Sequence, residues 1–370
     1  MLDRLPVELL DHIFDLIRWP YADKWNRRRP LAACCLVCRR CREVAQPQLW
    51  REIHCSRSGS HATSALRSLA AVNTLSPLWR HVRVLEMGLS SGGLARAEEV
   101  AQRMINLEEL ALTLRAYGSD DICGFPSLSK LRVLHLNSAT PPPTFFSAPL
   151  PSLQGFTLAE YFPDSTKTVS QIFTPAIFPS LRALSIGGRY IGDEVIFAAL
   201  EGPLLAQLEM VNFDFRFLPV IPGAVLRGTT PVLVSIPPAE LFSTAASSAL
   251  LAAGPAHVSL LNDFLQYDDE EFEEALAAIN VLIALVRSPS RPLSLHLPSE
   301  LKADEEDVEA DEDADPLHTE LYDGVKELTE ACKEEKVEVA WHWDNSVGIS
   351  PNFWAYAKKL KTAQQASGET

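Results

Sequence analysis

The sequence lacks a hydrophobic run long enough to cross a bilayer. Its longest apolar stretch, Ala275 to Val286, falls short of the roughly 20 residues that a membrane helix needs. The opening residues, MLDRLPVELL, lack the basic start, apolar stretch and small-residue cleavage site of a secretory signal peptide. The sequence also has no Asn-x-Ser/Thr glycosylation sequon. We therefore expect a cytoplasmic or nuclear protein that does not bind membranes.

An excess of positive charge is absent as well. The net charge is −15, whereas nucleic-acid binding depends on clustered lysines and arginines, so we expect no nucleic-acid partner. Glu300 to Asp315 carry ten carboxylates and one lysine, and we predict a disordered acidic loop there. The first sixty residues are net +4, with Arg27 to Arg29 in a row. We interpret this small patch as a solvated helix face.

The seven cysteines are an odd number, which does not suggest a disulfide framework. Four lie in LAACCLVCRRCREVAQPQLW, Leu31 to Trp50. A helix from Pro30 to just before Pro47 would put Cys34, Cys38 and Cys41 on its apolar side, where cysteine packs as a small hydrophobe. The alternative is a metal or iron–sulfur site, which needs four converging ligands. A continuous helix cannot wrap a cluster and the segment offers no obvious fourth ligand, so we predict no metal.

Familiar catalytic motifs are missing too. The sequence contains no G-x-S-x-G, P-loop, H-E-x-x-H or G-x-G-x-x-G pattern. His342 in WHWDN is the most site-like residue, but we interpret it as part of a strand end that packs two tryptophans. We predict a protein that is not an enzyme and needs no cofactor. A deep polar pocket would revive the enzyme alternative.

The middle of the chain contains a repeat. The pattern apolar-x-x-apolar-x-apolar begins at Val82, Leu107, Leu131, Leu153, Leu181 and Leu205, at spacings of 25, 24, 22, 28 and 24 residues. The alternation within each unit predicts a short half-buried strand. The spacing leaves room for a strand and a return segment, so the strands should stack in parallel. At 370 residues, the chain fits two domains or such an elongated architecture.

The same alternation continues beyond residue 215. Helical patterns at 239–253, 268–287 and 317–333 are each followed by a strand-like run, at 257–261, 292–297 and 337–343. A further strand is predicted at 231–236. Strands that alternate with helices indicate βα units that extend the same type of parallel sheet.

A wide apolar helix opens the chain. Pro6 suits a first helical turn, and the apolar residues that follow spread over about half of the helix wheel: Val7, Leu9, Leu10, Ile13, Phe14, Leu16 and Ile17. A module of sixty residues covers only part of such an arc. Either a second protein or the adjoining repeats should therefore cover the rest.

Two segments, LPVELLDHIFDLI and LAACCLVCRRCREVAQPQLWREI, together resemble an F-box domain of the type frequent in fungal proteins. The match covers about fifty residues: Leu5, Pro6, Glu8, Leu9, Leu10, Ile13, Phe14, Leu36, Val37, Cys38, Arg39, Leu49 and Trp50. Cys41 stands where the family commonly has tryptophan, and residues 18–30 make a longer connection than usual. The repeats resemble leucine-rich repeats, although only Asn137 approaches the family's regular asparagine.

The resemblance implies the substrate-recognition subunit of an SCF-type cullin-RING ubiquitin ligase. Its F-box would dock on a Skp-family adaptor, and its repeats would bind a substrate protein. The implied adaptor contacts are Leu5, Pro6, Leu9, Ile13, Leu36, Val37 and Trp50. If the strands line a concavity, their outward residues should face the substrate: Glu86, Ala111, His135, Thr157, Ser185 and Glu209. An interaction scaffold that acts outside a ligase is the alternative.

The predicted fold class is α/β, with a small three-helix module followed by a leucine-rich-repeat-like βα solenoid with parallel strands. The predicted divisions are an F-box module at 1–56, the solenoid at 57–345, and a C-terminal helix with a frayed tail at 346–370.

Overall fold

The computed structural model describes fifteen stretches of the chain. They are residues 6–18, 28–55, 68–69, 71–72, 76–89, 99–114, 129–138, 149–159, 174–187, 204–241, 243–261, 269–301, 316–342, 353 and 355–359. The chain divides into two compact units, residues 1–153 (unit 1) and residues 154–370 (unit 2). The boundaries predicted from the sequence, after residues 56 and 345, differ from this division and stay a prediction. The acidic residues 302–315 lie outside the described stretches.

Unit 1 begins with the predicted three-helix module: α1 Val7–Arg18, α2 Arg28–Val37 and α3 Arg39–Trp50. The α1 helix starts where Pro6 allows it, and the Pro6 carbonyl accepts the first helical hydrogen bond from the Leu10 N–H at 3.1 Å. Our prediction of one continuous second helix was wrong. Cys38 is extended (φ −158°, ψ 169°) and separates α2 from α3, and Pro47 lies inside α3.

The rest of unit 1 contains four described strands: β1 Glu52–Cys55, β2 Val84–Leu89, β3 Glu109–Leu114 and β4 Val133–Ser138. They pair in parallel and in chain order. The β2, β3 and β4 strands occur at three predicted repeats. The β1 strand was not predicted, because the repeat pattern begins only after it.

Unit 2 contains seven described strands, again parallel and in chain order. They are β5 Gly155–Ala159, β6 Ala183–Gly187, β7 Met210–Asp214, β8 Val232–Ile236, β9 His257–Leu260, β10 Ser294–Pro298 and β11 Glu338–His342. Between them lie α4 Gly223–Leu226, α5 Pro238–Leu241, α6 Thr244–Ala253, α7 Asp269–Val286 and α8 Pro316–Glu335. The prediction of an α/β fold with a three-helix module and parallel βα repeats is confirmed.

One face of each sheet is apolar and forms the core. Leu85, Leu110 and Leu134 of unit 1 are at most 1% exposed, as are Leu184 and Val211 of unit 2. These residues are register partners within their units. Burying such a side chain contributes about 1.5–3 kcal/mol. Stacked aliphatic side chains therefore stabilise the succession of strands.

The helices of unit 2 pack closely where α8 crosses α7. A Cβ at Gly324 would lie 3.2 Å from the Leu276 Cδ1 and 3.3 Å from the Ile279 Cγ2, so a glycine permits this approach. The α6 helix ends at Gly254, which adopts the left-handed conformation (φ 51°). Among the described residues, no helix combines the length and the apolar character needed to cross a membrane.

Candidate functional site

The three-helix module has its own core. Leu10 and Phe14 of α1 pack with Leu31 of α2 and with Cys41, Val44 and Ala45 of α3. All six are buried, at 0–8% exposure. The module is therefore held by a small cluster to which each helix contributes, and this cluster decides which side of α1 remains outside.

The cysteines belong to this core. Cys34, Cys35 and Cys38 are partly buried against it, and burial raises the pKa of the Cys34 and Cys35 thiols. The Cys38 Sγ also accepts a hydrogen bond from the Cys41 N–H at 3.3 Å and so caps the start of α3. Packing and capping therefore account for their positions. Among the described residues, no group of three or more His, Cys, Asp or Glu is placed to hold a metal ion.

Apolar side chains on the outside of the module form the first candidate surface. Leu36 is 81% exposed and Val37 is 60% exposed at the end of α2, while Val7 and Leu9 are each 50% exposed at the start of α1. Pro6 is exposed as well, and Leu5 lies outside the described residues. Leu9 and Leu36 thus lie outside the core to which their neighbours Leu10 and Leu31 belong. We call Val7, Leu9, Leu36 and Val37 the apolar set.

Two of the predicted adaptor contacts are placed differently. Ile13 is half-buried and packs against the module core. Trp50 is half-buried, and its ring meets the ring of Trp79 edge-on at a centroid distance of 5.9 Å. The Arg103 guanidinium lies 5.8 Å from the ring centroid of Trp79, within cation–π range. Trp50 therefore joins α3 to the 3₁₀ turn Pro77–His81 inside unit 1.

The second candidate surface is the polar face of the unit 1 sheet. Glu86, Ala111 and His135 are register partners on β2, β3 and β4 and form one row across the sheet. All three are half-buried. His54 of β1 continues the row, and its Nδ1 lies 2.7 Å from a carboxylate oxygen of Glu86.

The three predicted residues of unit 2 are placed differently from one another. Thr157 and Ser185 share a row, but they are only 4% and 0% exposed. Glu209 precedes β7, and the partner of Ser185 is Asn212. The repeat here is Leu208-x-x-Val211-x-Phe213, so the predicted register was wrong by three residues.

A hydrogen-bonded polar ladder crosses this face of unit 2. The Asn212 Nδ2 donates to the Ser185 Oγ at 3.1 Å, and the Ser235 Oγ donates to the Asn212 Oδ1 at 2.8 Å. Further along, the Ser294 Oγ lies 2.9 Å from the His257 Nδ1 and 3.0 Å from the His296 Nε2. Neither histidine was predicted as a site residue, although the alternation of polar and apolar residues in HVSLL and PLSLHL places both opposite the core.

Burial keeps both histidines neutral. His257 is 3% exposed and His296 is 1% exposed. Burial lowers the pKa of His257 to about 4. It also lowers the pKa of His296 to about 3, with smaller contributions from His257 and His342. The group is therefore shielded from solvent.

A helical segment at residues 353 and 355–359 covers this region. Phe353 and Ala357 are buried with Ala183, Met210 and Leu233, and Tyr356 packs against the same cluster. We call Phe353 and residues 355–359 the strap. A helix in this part of the chain was predicted, but its contact with the sheet was not. The only sequence signal is the spacing of Phe353, Tyr356 and Ala357, which places them on one side of a helix.

Comparison with known proteins agrees with the N-terminal resemblance. The family model described as F-box-like matches residues 2–56. No curated protein matches the sequence. A crystal structure of a Bacteroides fragilis protein is similar at 15% identity and a TM-score of 0.38, over 58% of this chain. The match spans 66% of that protein, slightly less than two thirds of its length. The family match and the three-helix core together identify residues 2–56 as an F-box-like domain.

Proposed function

We propose that this chain is the substrate-recognition subunit of an SCF-type cullin-RING ubiquitin ligase. Its F-box-like domain docks on a Skp-family adaptor, and its repeats bind a substrate protein. The observation that carries the proposal is the apolar set on a domain that matches the F-box-like family. The role requires neither a catalytic residue nor a cofactor.

Docking would remove these side chains from water. Leu36 is 81% exposed, and fully burying a leucine contributes about 1.5–3 kcal/mol. Leu36 alone could then contribute about 2 kcal/mol to binding. Leu9 and Val37 are 50% and 60% exposed and would add to it. Apolar contacts that become buried at the centre of an interface commonly dominate its affinity.

The proposed adaptor contacts remain Leu5, Pro6, Leu9, Ile13, Leu36, Val37 and Trp50. They differ in what a substitution would test. Leu9 and Leu36 are exposed, so changing them leaves the module core intact. Trp50 contacts Trp79 within unit 1, so its replacement would also disturb that junction.

The decisive experiment compares two matched double variants of the full chain in co-purification with a Skp-family adaptor. Leu9→Ser with Leu36→Ser removes two members of the apolar set. Ile105→Ser with Leu293→Ser removes two apolar side chains that are similarly exposed, at 67% and 59%, outside the domain. We expect the first variant to lose the adaptor and the second to retain it. Equal retention by both variants would refute the docking proposal.

A cullin in the purified complex distinguishes the ligase subunit from a scaffold that acts outside a ligase. If the adaptor co-purifies and the cullin does not, the scaffold alternative stands.

Substrate binding is proposed for the row Glu86, Ala111 and His135, and Thr157, Ser185 and Glu209 were its predicted continuation. Ala111 is the smallest member of the row, so Ala111→Arg should block contact with the sheet without removing an existing interaction. Proximity labelling in cells would compare this variant with the unmodified chain. We expect a subset of labelled proteins to disappear, while adaptor labelling remains.

A further inference from the structure

The strap packs on the polar face of the unit 2 sheet. The Phe353 ring lies 5.5 Å from the ring of His257 and 5.0 Å from that of His296. The Tyr356 ring lies 5.7 Å and 5.6 Å from the same two histidines. Its hydroxyl lies close enough to Ser294 and Glu338 for both side chains to affect the pKa of Tyr356. Two aromatic rings of the strap therefore share one pair of imidazoles.

The surface beneath the strap is unlike the core on the opposite face of the sheet. Ala183, Met210 and Leu233 provide an apolar patch for Phe353 and Ala357. Around this patch lie polar side chains joined by hydrogen bonds, although the buried His296 Nδ1 has no hydrogen-bond partner: Ser185, Asn212, Ser235, His257, Ser294 and His296. Removing the strap would expose these polar groups together with the small apolar patch, whereas removing a layer from the core face would expose only apolar side chains.

We propose that this face is a binding site for a short helical peptide and that the strap occupies it in cis. The site selects two aromatic residues three positions apart, followed directly by a small residue, as in Phe353, Tyr356 and Ala357. The polar Ser294 and Glu338 beside the Tyr356 hydroxyl favour tyrosine over phenylalanine at the second aromatic position. A protein segment with this pattern competes with the strap. The inference rests on the proposed function in one respect only, namely that the competing segment belongs to a ligase substrate.

The site is continuous within unit 2. Asn212, Leu233, His257, Ser294 and Glu338 are successive register partners on β7 to β11. At 4.7–4.9 Å between neighbouring strands, five strands span roughly 19 Å. Asn212, Leu233, His257 and Ser294 are at most 3% exposed, so the row is covered in this arrangement.

The test uses the full chain with Phe353→Ala and Tyr356→Ala, which weakens the cis contact. A fluorescently labelled peptide of residues 349–361 serves as the ligand in an anisotropy titration. We expect the variant to bind it at least tenfold more tightly than the unmodified chain, whose site is occupied. Lys359→Ala is the matched control, because Lys359 is an exposed strap residue, and it should behave as the unmodified chain does.

Two altered peptides test the selectivity. A peptide with Phe353→Ala should lose binding to the double variant, and one with Tyr356→Phe should bind several-fold more weakly than the natural sequence. If all three peptides bind equally, the proposed pattern of recognition is wrong.

Hydrogen–deuterium exchange on the unmodified chain gives an independent measure. Amides of residues 355–359 should exchange many-fold faster than those of β7 and β8, and excess peptide should speed them further. The proposal is overturned if the strap exchanges as slowly as the strands. It is also overturned if the double variant loses its fold, or if it keeps its circular dichroism spectrum but binds no peptide. Adaptor co-purification is a separate measurement, so failure here leaves the docking proposal standing.

Discussion

The buried histidines of unit 2 predict a pH dependence of stability that can be measured directly. The perturbation is the replacement of His257 and His296 by glutamine, singly and together. In the folded chain their pKa values are about 4 and about 3, whereas an exposed histidine has a pKa of about 6.5. The groups that face them are His342, Ser294, Tyr356 and Glu338.

The sign follows from which state binds protons first. As the pH falls through 6.5, the unfolded chain protonates these histidines while the folded chain keeps them neutral. The stability that the neutral histidines contribute is therefore fully present above pH 7. It decreases as the pH falls and levels off only below the folded pKa values. At pH 5 the loss amounts to about 2 kcal/mol for each histidine. The double variant lacks both groups, so its stability should fall by about 4 kcal/mol less between pH 8 and pH 5.

The assay is urea denaturation at pH 8, 6.5 and 5, followed by circular dichroism, with the free energy of unfolding extrapolated to zero urea. Carboxylates titrate in the same way in all variants, so the difference between variants isolates the histidines. Each single variant should show about half of the effect of the double variant on the loss of stability between pH 8 and pH 5. The reasoning is refuted if the original chain and the double variant follow parallel curves from pH 8 to pH 5.

Three further predictions concern single positions, each checked by urea denaturation. Gly254→Ala should lower the free energy of unfolding by about 2 kcal/mol or more, because Gly254 has φ 51° and a Cβ there would lie 2.6 Å from the Ser290 Cβ. Gly223→Ala is the control. A Cβ at Gly223 meets nothing within 4 Å, so this substitution should be nearly neutral. Arg216→Ala should lower the free energy of unfolding by about 3 kcal/mol, because it removes two guanidinium hydrogen bonds, at 2.9 Å and 2.7 Å, from the fully buried Asp214 carboxylate. A loss below about 0.5 kcal/mol would contradict this prediction. Leu10→Ala should lower the free energy of unfolding by about 2–5 kcal/mol, because Leu10 is fully buried in the module core. Leu9 is half-exposed, so Leu9→Ala should lower it much less.

The repeat periodicity predicted most strands, because a short strand with one buried face leaves an alternating pattern that survives without any tertiary context. It did not choose the register of β7. Leu205-x-x-Leu208-x-Met210 and Leu208-x-x-Val211-x-Phe213 both satisfy the pattern. The pairing of Val211 with Leu184 decides between them, since register depends on the neighbouring strand.

The sequence by itself determined the F-box-like segments, the parallel βα succession and the apolar face of each sheet. These features depend on residue types at short spacing. The tertiary structure alone decided that Leu10 is buried while Leu9 remains half-exposed, that Trp50 meets Trp79, and that the strap covers the unit 2 face. Each of these depends on which distant segment arrives against a given side chain. Local periodicity specifies which side a residue takes, but it carries no information about what packs on that side.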